Sequence, residues 1–286
     1  MIRSSFPVDQ KGPMLFLVST PIGNLEDITY RAVRILRESD VICCEDTRNT
    51  KKLLDRYDIH PKKLIALYSQ DEIEESKKIL SLAKENDFKV SYCSDAGMPG
   101  ISDPGALLLL AFRNENIPAA ILPGPSASLS ALVLSGLDTA DFSFYGFPPA
   151  KRGAKKTFFQ SLLHRKETLL FYESPHRIKE TLQIMSTVFP KERKAAIVRE
   201  LTKIHEETIF GTLEELSSLD EIKGEIVLVL EGEKEKEVDI ETIDKGILPL
   251  LKKGLPVKEI SALLSQKYLL PKKEVYQRVL RQKERS

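Results

Sequence analysis

Short apolar runs alternate with amphipathic stretches along the first half of the chain. Five of the runs are typical of buried strands, namely MLFLV, VICC, KLIAL, KVSYC and AAIL. A pattern with helical spacing of apolar residues follows each run, over residues 30–38, 50–57, 73–85, 106–114 and 126–136. Five successive β-α units predict a mainly parallel sheet covered by helices, which we assign to a first domain at residues 14–138.

The pattern changes from Asp141 onward. Five further strand-like runs are present, namely FSFYGF, TLLFYE, AAIVRE, EETIFGTL and EIVLVL. Helical patterns lie between several of them, at residues 157–164, 176–188 and 213–219. Because EETIFGTL and EIVLVL flank only a short helix, we predict a partly antiparallel sheet in a second α/β domain at residues 139–232.

A charged linker, EGEKEKEVD, precedes the last part of the chain. Helices are predicted over residues 240–253, 257–267 and 272–282, which gives a helical extension at 240–286. Pro256 and Pro271 stand where two of these helices open, and the pair resembles a helix-turn-helix without a turn glycine. From Leu250 to Ser286 there are ten Lys or Arg against three Glu. This balance indicates a polyanionic partner or a solubilising basic tail.

Composition narrows the class of protein. The 286 residues are 42% apolar, but the longest apolar run has seven residues, whereas a membrane span needs about 20. The first thirteen residues lack the apolar segment of a signal peptide. We therefore expect a soluble cytoplasmic protein that has no membrane partner.

Common cofactor motifs do not occur in the sequence. The three cysteines and four histidines have no metal-ligand spacing, so no metal is predicted. There is no GxxxxGK[ST] motif, no GxGxxG after a strand and no GxSxG.

Four irregular segments follow the first, second, fourth and fifth predicted strands. They are STPIGNLED, CEDTRNT, SDAGMPGISDPG and PGPSAS. Because parallel strands end at one edge of a sheet, these loops are expected to line one cleft. Their glycines would let the backbone approach a ligand closely, although tight turns without a ligand remain the alternative.

Several motifs then appear together in one order. EDTR, SDAGMPGISDPG, ESPHR and RELTK closely resemble the ribosomal RNA small subunit methyltransferase I family, within the tetrapyrrole methylase (class III methyltransferase) superfamily. The resemblance covers about residues 14–232 and implies two α/β domains and a homodimer. It also implies an S-adenosylmethionine-dependent enzyme that methylates the ribose 2′-hydroxyl of a cytidine, number 1402 in the usual 16S numbering, in small-subunit ribosomal RNA.

The family pattern also implies where the methyl donor binds. The implied contacts are Ile22, Gly23, Asp95, Ala96, Gly97, Met98, Ile101, Ser126, Ala127, Tyr172 and Leu201. Met98 stands where the family commonly has threonine, so a hydroxyl contact is lost at that position. The first loop, STPIGN, also differs from the GxGPGD of the porphyrin branch, which favours an RNA substrate.

Methyl transfer to a ribose hydroxyl benefits from a general base or from a nearby cation. The candidate catalytic residues are Glu45, Asp46, Arg48, Glu173, Arg199, Glu200 and Lys203. Asp46 with Arg48 is the first choice, because both follow a strand end that faces the cleft. Each candidate could instead form an ion pair that ties one loop to another.

Basic residues are the candidates for RNA binding. They are Lys151, Arg152, Lys155 and Lys156 in GFPPAKRGAKK, and Lys272, Lys273, Arg278 and Arg281 in the extension. Phe147 could stack on a base. Two other interpretations remain open: a methylase of the same fold that acts on a tetrapyrrole or another small molecule, and a nucleic-acid-binding regulator that senses a ligand.

Overall fold

A computed structural model describes residues 12–68, 71–234, 240–268 and 270–285. Part of the predicted linker, residues 235–239, and most of the amino-terminal segment, residues 1–11, lie outside this range. The chain divides into two compact units, one ending at Glu233 and the other beginning at Lys234. In the described residues no helix combines the length and the apolar character that a membrane crossing requires.

A five-stranded parallel sheet forms the first lobe of the first unit. Its strands are β1 (Met14–Val18), β2 (Val41–Cys44), β3 (Lys63–Ala66), β4 (Lys89–Cys93) and β5 (Ala119–Leu122), in the order β3-β2-β4-β1-β5. Its helices are α1 (Tyr30–Glu38), α2 (Thr47–Arg56), α3 (Glu72–Asn86), α4 (Ala106–Asn114) and α5 (Ala127–Leu134). The predicted parallel sheet is therefore present, with a helix after every strand.

The apolar run of β1 forms a strand because both faces of the sheet are covered. Successive side chains of a strand point to opposite faces. Leu15 and Leu17 pack in one apolar cluster, while Phe16 and Val18 pack in another. The whole strand is buried, which explains a continuous rather than an alternating apolar pattern.

A mixed five-stranded sheet forms the second lobe. Its strands are β6 (Phe142–Phe144), β7 (Thr168–Glu173), β8 (Lys194–Arg199), β9 (Glu207–Thr212) and β10 (Ile226–Leu230), in the order β6-β7-β10-β8-β9. Its helices are α6 (Arg152–Ser161), α7 (Ile178–Val188) and α8 (Leu213–Ser217). The predicted antiparallel pairing is present, but β9 and β10 are not neighbours, because each pairs with a different edge of β8.

The two lobes share one apolar cluster. Ala131 and Leu132 of α5 pack with Leu170 of β7, Val198 of β8 and Val229 of β10. Burial of these side chains joins the helix layer of one lobe to the sheet of the other. This contact holds the strand-end loops of the first lobe against the second lobe.

The second unit is a group of three helices, α9 (Ile240–Lys252), α10 (Val257–Tyr268) and α11 (Lys272–Arg285). Its core contains Ile243, Ile247, Ile260, Leu264, Val275 and Val279. Pro256 and Pro271 immediately precede α10 and α11, as the sequence predicted.

Candidate functional site

A pocket of about 360 Å³ lies between the two lobes. Its size falls in the range of small-molecule sites. Nine of the eleven predicted donor contacts line it, namely Ile22, Ala96, Gly97, Met98, Ile101, Ser126, Ala127, Tyr172 and Leu201. Three of the four predicted loops and the second lobe therefore converge on one cavity, whereas no residue of the remaining loop, CEDTRNT, lines it.

Two hydrogen bonds hold the segment of residues 94–98, of which Ala96, Gly97 and Met98 line the pocket. The Ser94 hydroxyl donates to the carbonyl of Gly97 at 2.9 Å, and the Thr20 hydroxyl donates to the carbonyl of Ser94 at 3.0 Å. Gly97 has a φ of 80°, and an added Cβ would lie 3.2 Å from Ile22 Cγ2. Glycine is needed here for both its backbone conformation and its small size.

Gly23 and Asp95, also predicted donor contacts, are not among the lining residues. A Cβ on Gly23 would lie 2.6 Å from both Thr202 Oγ1 and Lys203 Cγ, so this glycine lets the two lobes approach each other. Asp95 accepts hydrogen bonds from the Asp46 N–H at 3.0 Å and the Asn49 amide at 2.9 Å. Both residues shape the pocket by joining loops, and neither forms its wall.

Asp103 is a lining residue that the sequence analysis missed as a site residue. Its carboxylate is half-buried and has neither a hydrogen-bond nor an ion-pair partner among the described residues. Burial, and then the nearby Asp95, raise the pKa of Asp103 above its ordinary value. Its position in SDPG, within the glycine-rich loop, was the available signal. The pocket is also lined by Glu173, which the family pattern places beside the donor together with Tyr172, and by residues not predicted as donor contacts, namely Ser102, Ser128, Phe147, Ser174, Pro175, Glu225, Ile226 and Val227.

Glu173 lines the pocket, but its side chain is fully buried and engaged. Oε1 accepts from the Ser174 N–H at 2.9 Å and lies 3.2 Å from Arg177 Nε, while Oε2 accepts from the Thr181 hydroxyl at 2.6 Å. Both carboxylate oxygens are therefore occupied by other groups of the protein. The structure therefore does not favour the predicted catalytic role of Glu173.

Asp46 and Arg48 form an ion pair with each other, and neither residue lines the pocket. Asp46 caps α2 by accepting from the Arg48 N–H at 2.8 Å, and its carboxylate contacts Arg48 Nη2 at 2.7 Å. Hydrogen bonds from Arg48 lower the pKa of Asp46 to about 2. Such an acid is almost fully ionised at neutral pH and accepts a proton poorly.

Glu45, the neighbouring candidate, also lies outside the lining residues. Burial, followed by the charges of Asp103, Asp95 and Asp46, raises the pKa of this carboxyl group.

The RELTK candidates form ion pairs, and one of them, between Lys203 and Glu225, ties one loop to another as the alternative interpretation proposed. Arg199 Nε lies 2.7 Å from Glu207 Oε2, and Lys203 Nζ lies 2.9 Å from Glu200 and 3.1 Å from Glu225. The turn that carries these residues also carries Leu201, which lines the pocket.

Lys155 is wrongly predicted as an RNA contact. Its side chain is 0% exposed, and Nζ donates to Glu180 Oε2 at 3.0 Å and to Thr181 Oγ1 at 3.1 Å. The sequence shows a basic cluster, but it does not show that Lys155 lies on the buried face of α6. The neighbouring Lys151, Arg152 and Lys156 are exposed.

Phe147 lies at the rim of the pocket and is 56% exposed. Its ring packs edge-to-face on Tyr172, with 5.6 Å between the ring centroids. The exposed Lys151, Arg152 and Lys156 follow this exposed ring in the chain, and aromatic rings with cations are suited to nucleic acid.

The extension carries the other predicted RNA contacts on α11. Lys272, Lys273 and Arg281 are exposed there. Arg278 Nε lies 2.9 Å from Asp244 Oδ1, so this guanidinium forms an ion pair inside the helical unit.

Within the described part of the chain, no group of three or more His, Cys, Asp or Glu side chains could hold a metal ion.

Comparison with known proteins identifies the class first. Residues 14–217 match the model of the Tetrapyrrole (Corrin/Porphyrin) Methylases. A uroporphyrin-III-C-methyltransferase from Thermus thermophilus has a TM-score of 0.52 at 20% identity, covering 77% of this chain and 92% of that one. A diphthine synthase has a TM-score of 0.60 at 16% identity, covering 76% of this chain and 90% of that one. These structures confirm the predicted fold class.

Curated relatives then identify the branch. Proteins named ribosomal RNA small subunit methyltransferase I are 39% identical in Bacillus subtilis (strain 168) and 40% identical in Streptococcus pyogenes serotype M1. Each match covers 96% of this chain and 98% of the relative. A Hydrogenobaculum relative of the same name is 46% identical over 77% of this chain and 96% of its own. The chain belongs to the ribosomal RNA small subunit methyltransferase I family of tetrapyrrole methylases, which confirms the resemblance.

Proposed function

We propose that the protein uses S-adenosylmethionine to methylate the ribose 2′-hydroxyl of cytidine 1402 in small-subunit 16S ribosomal RNA. The observation that carries this proposal is the small-molecule pocket between the lobes, whose rim residue Phe147 is followed in the chain by the exposed Lys151, Arg152 and Lys156. The names of the curated relatives supply the substrate class. Ribosomal subunits are cytoplasmic in bacteria, which is where we place the reaction.

The residues of the pocket fit the proposed donor. S-adenosylmethionine supplies an electrophilic methyl group on a positively charged sulfonium when it is bound. Asp103 offers a carboxylate with no described partner, and a cationic ligand would compensate its burial. Ile22, Leu201 and Val227 add apolar wall on which the uncharged parts of a ligand can pack.

We assign the acceptor side of the site to Phe147, at the rim of the pocket, and to the exposed Lys151, Arg152 and Lys156 that follow it in the chain. Cations there would neutralise phosphates, and Phe147 would stack on a base. Lys272, Lys273 and Arg281 of the extension are proposed as a second contact to RNA. Roles in catalysis for Glu45, Asp46, Arg48, Arg199 and Lys203 remain predictions, with Arg48 suited to a phosphate because its side chain is 86% exposed.

A homodimer is proposed from an apolar surface on the first lobe. Leu110 of α4, Ile121 of the edge strand β5, and Leu129, Val133 and Leu134 of α5 are all exposed. Large exposed apolar patches are unusual on a monomer, and these side chains supply apolar surface for the proposed contact.

In the direct test, the protein is incubated with labelled S-adenosylmethionine and either small ribosomal subunits or a uroporphyrinogen. We expect label only in the ribosomal RNA, and nuclease mapping should locate it on the ribose of one cytidine. Subunits isolated from cells that lack the gene should accept label, whereas subunits from normal cells should already be methylated. Label in the tetrapyrrole alone would support the small-molecule interpretation and reject the RNA substrate.

A further inference from the structure

The ammonium of Lys155 is the start of a buried polar network next to the pocket. Both Lys155 and Thr181 are fully buried, and Nζ of the lysine donates to Thr181 Oγ1 at 3.1 Å. Glu180 Oε2 accepts a second hydrogen bond at 3.0 Å. Burial of an ammonium is costly unless it is paired, so this position is held by specific partners.

The chemistry of these groups fixes the direction of the network. An ammonium can only donate, so Thr181 Oγ1 must accept from Lys155. The single hydroxyl proton of Thr181 is then free to be donated to Glu173 Oε2, which lies 2.6 Å away. Lys155 therefore orients the hydroxyl that holds the Glu173 carboxylate.

The network continues from Glu173 to the rim. Oε1 of Glu173 lies 3.2 Å from Arg177 Nε, which makes this link an ion pair and not a hydrogen bond. The other end of this guanidinium, Nη2, donates to the carbonyls of Pro148 and Pro149. These two prolines directly follow Phe147, and the chain then returns through Lys151 and Arg152 to Lys155.

These contacts and the chain itself thus form a closed ring. The ring runs through the loop of residues 147–152 and the first turn of α6. Arg177 holds the beginning of the loop and Lys155 holds the first turn of α6 at its end. Fixing both ends removes conformational freedom from Phe147 and from the cations beside it.

We propose that Lys155 is a positioning residue for the acceptor side of the site. Acting through Thr181, Glu173 and Arg177, it holds the loop of residues 147–152 in the arrangement that receives RNA. The assignment of RNA to this rim rests on the proposed function, whereas the ordering of the loop does not. Lys155 contacts no phosphate itself.

A tryptophan reporter tests the ordering of the loop without any substrate. The chain has no tryptophan, so Phe147→Trp provides a single fluorophore in the loop. Thr181→Val breaks the network at its centre with little change of volume, and Thr181→Ser keeps the hydroxyl. We expect acrylamide to quench the reporter about twofold more efficiently in the valine variant than in the serine variant. Equal quenching in the two variants would overturn the proposal.

Kinetics test the consequence for the acceptor. In the chain without the reporter, Thr181→Val should raise the KM for small ribosomal subunits about tenfold, while calorimetry shows donor affinity within about twofold of the unmodified protein. Thr181→Ser should restore the KM. A loss of donor affinity equal to the loss for the subunit would indicate general disruption of the fold and reject a positioning role.

Matched controls separate this proposal from the proposed function. Lys155→Met removes the buried charge, and Lys191→Met removes an exposed lysine that pairs with Glu214. Only the first should increase quenching of the reporter. If the unmodified protein methylates no ribosomal RNA, the proposed function fails, and the quenching comparison still decides whether the network orders the loop.

Discussion

The Asn24 N–H donates to Thr202 Oγ1 at 3.0 Å and thereby joins the first loop of one lobe to the turn after β8 in the other. Thr202 has a φ of 65°, which is strained for a β-branched residue. Gly23 immediately precedes Asn24 and provides the space for this approach. The contact lies beside Ile22 and Leu201, so it sets the distance between two walls of the pocket.

Gly23→Ala should widen this junction. The new methyl group would lie 2.6 Å from Thr202 Oγ1 and 2.9 Å from the Leu201 carbonyl, so the turn must move. We expect about 1–3 kcal/mol of destabilisation from the overpacking. Calorimetry should also show weaker donor binding. Gly153→Ala is the control, since an added Cβ there meets nothing within 4 Å. Equal donor affinity in both variants would contradict the assigned role of Gly23.

Asp103→Asn should separate stability from binding. Burial raises the pKa of Asp103 above its ordinary value of 3.8, so the folded free protein holds this proton more tightly than the unfolded chain. Wild-type stability therefore falls as the pH rises from the ordinary value through the raised one. The asparagine variant lacks this penalty and should melt at a higher temperature near neutral pH, with the difference shrinking at low pH.

The same variant should bind the donor more weakly, by about tenfold or more, because a charged partner is lost. Thermal unfolding over a pH series and calorimetry measure the two effects. Unchanged donor affinity would show that Asp103 does not face a cation.

Asp46→Ala should cost about 0.5–2 kcal/mol of stability through loss of the α2 cap. Asp46→Asn keeps a side-chain oxygen for the cap and should be close to wild type in denaturant unfolding. Methylation assays then test the predicted catalytic role separately. If the stable asparagine variant retains full activity, Asp46 is structural and the prediction made from the sequence is wrong.

The exposed cations of the rim should determine the salt dependence of RNA binding. Replacing Lys151, Arg152 and Lys156 together by Gln should weaken binding and reduce the slope of log K against log salt by about 0.7 for each lost phosphate contact. Lys191→Gln changes an exposed lysine elsewhere in the same lobe and should leave the slope unchanged. An unaltered slope in the triple variant would place the RNA on another surface.

The apolar surface of the first lobe predicts the oligomeric state. Val133 is 71% exposed on α5, and Val133→Glu should convert a dimer to a monomer in light scattering, because a charge would be buried in the contact. Phe210→Glu changes a 52% exposed residue of β9 and serves as the control. A wild-type monomer at high concentration would reject the dimer.

The sequence determined the elements and the place of the site. Each β-α unit of the first lobe could be predicted because periodicity and loop residues act over a few positions, and parallel strands bring their ends to one edge. Three of the four loops predicted to line a cleft do line the pocket, whereas CEDTRNT does not. The pairing of β8 with both β9 and β10 was not determined, because strand order depends on contacts between distant segments.

Only the tertiary structure decided what each charged side chain does. Lys155 is a basic residue in a basic cluster, but its partners Glu180 and Thr181 lie 25 and 26 residues away and bury it. Glu173 is enclosed by its partners, while Asp103 is left without one in the described structure. The charge and reactivity of a carboxylate or an ammonium depend on burial and on neighbouring groups, and a linear pattern of residues specifies neither.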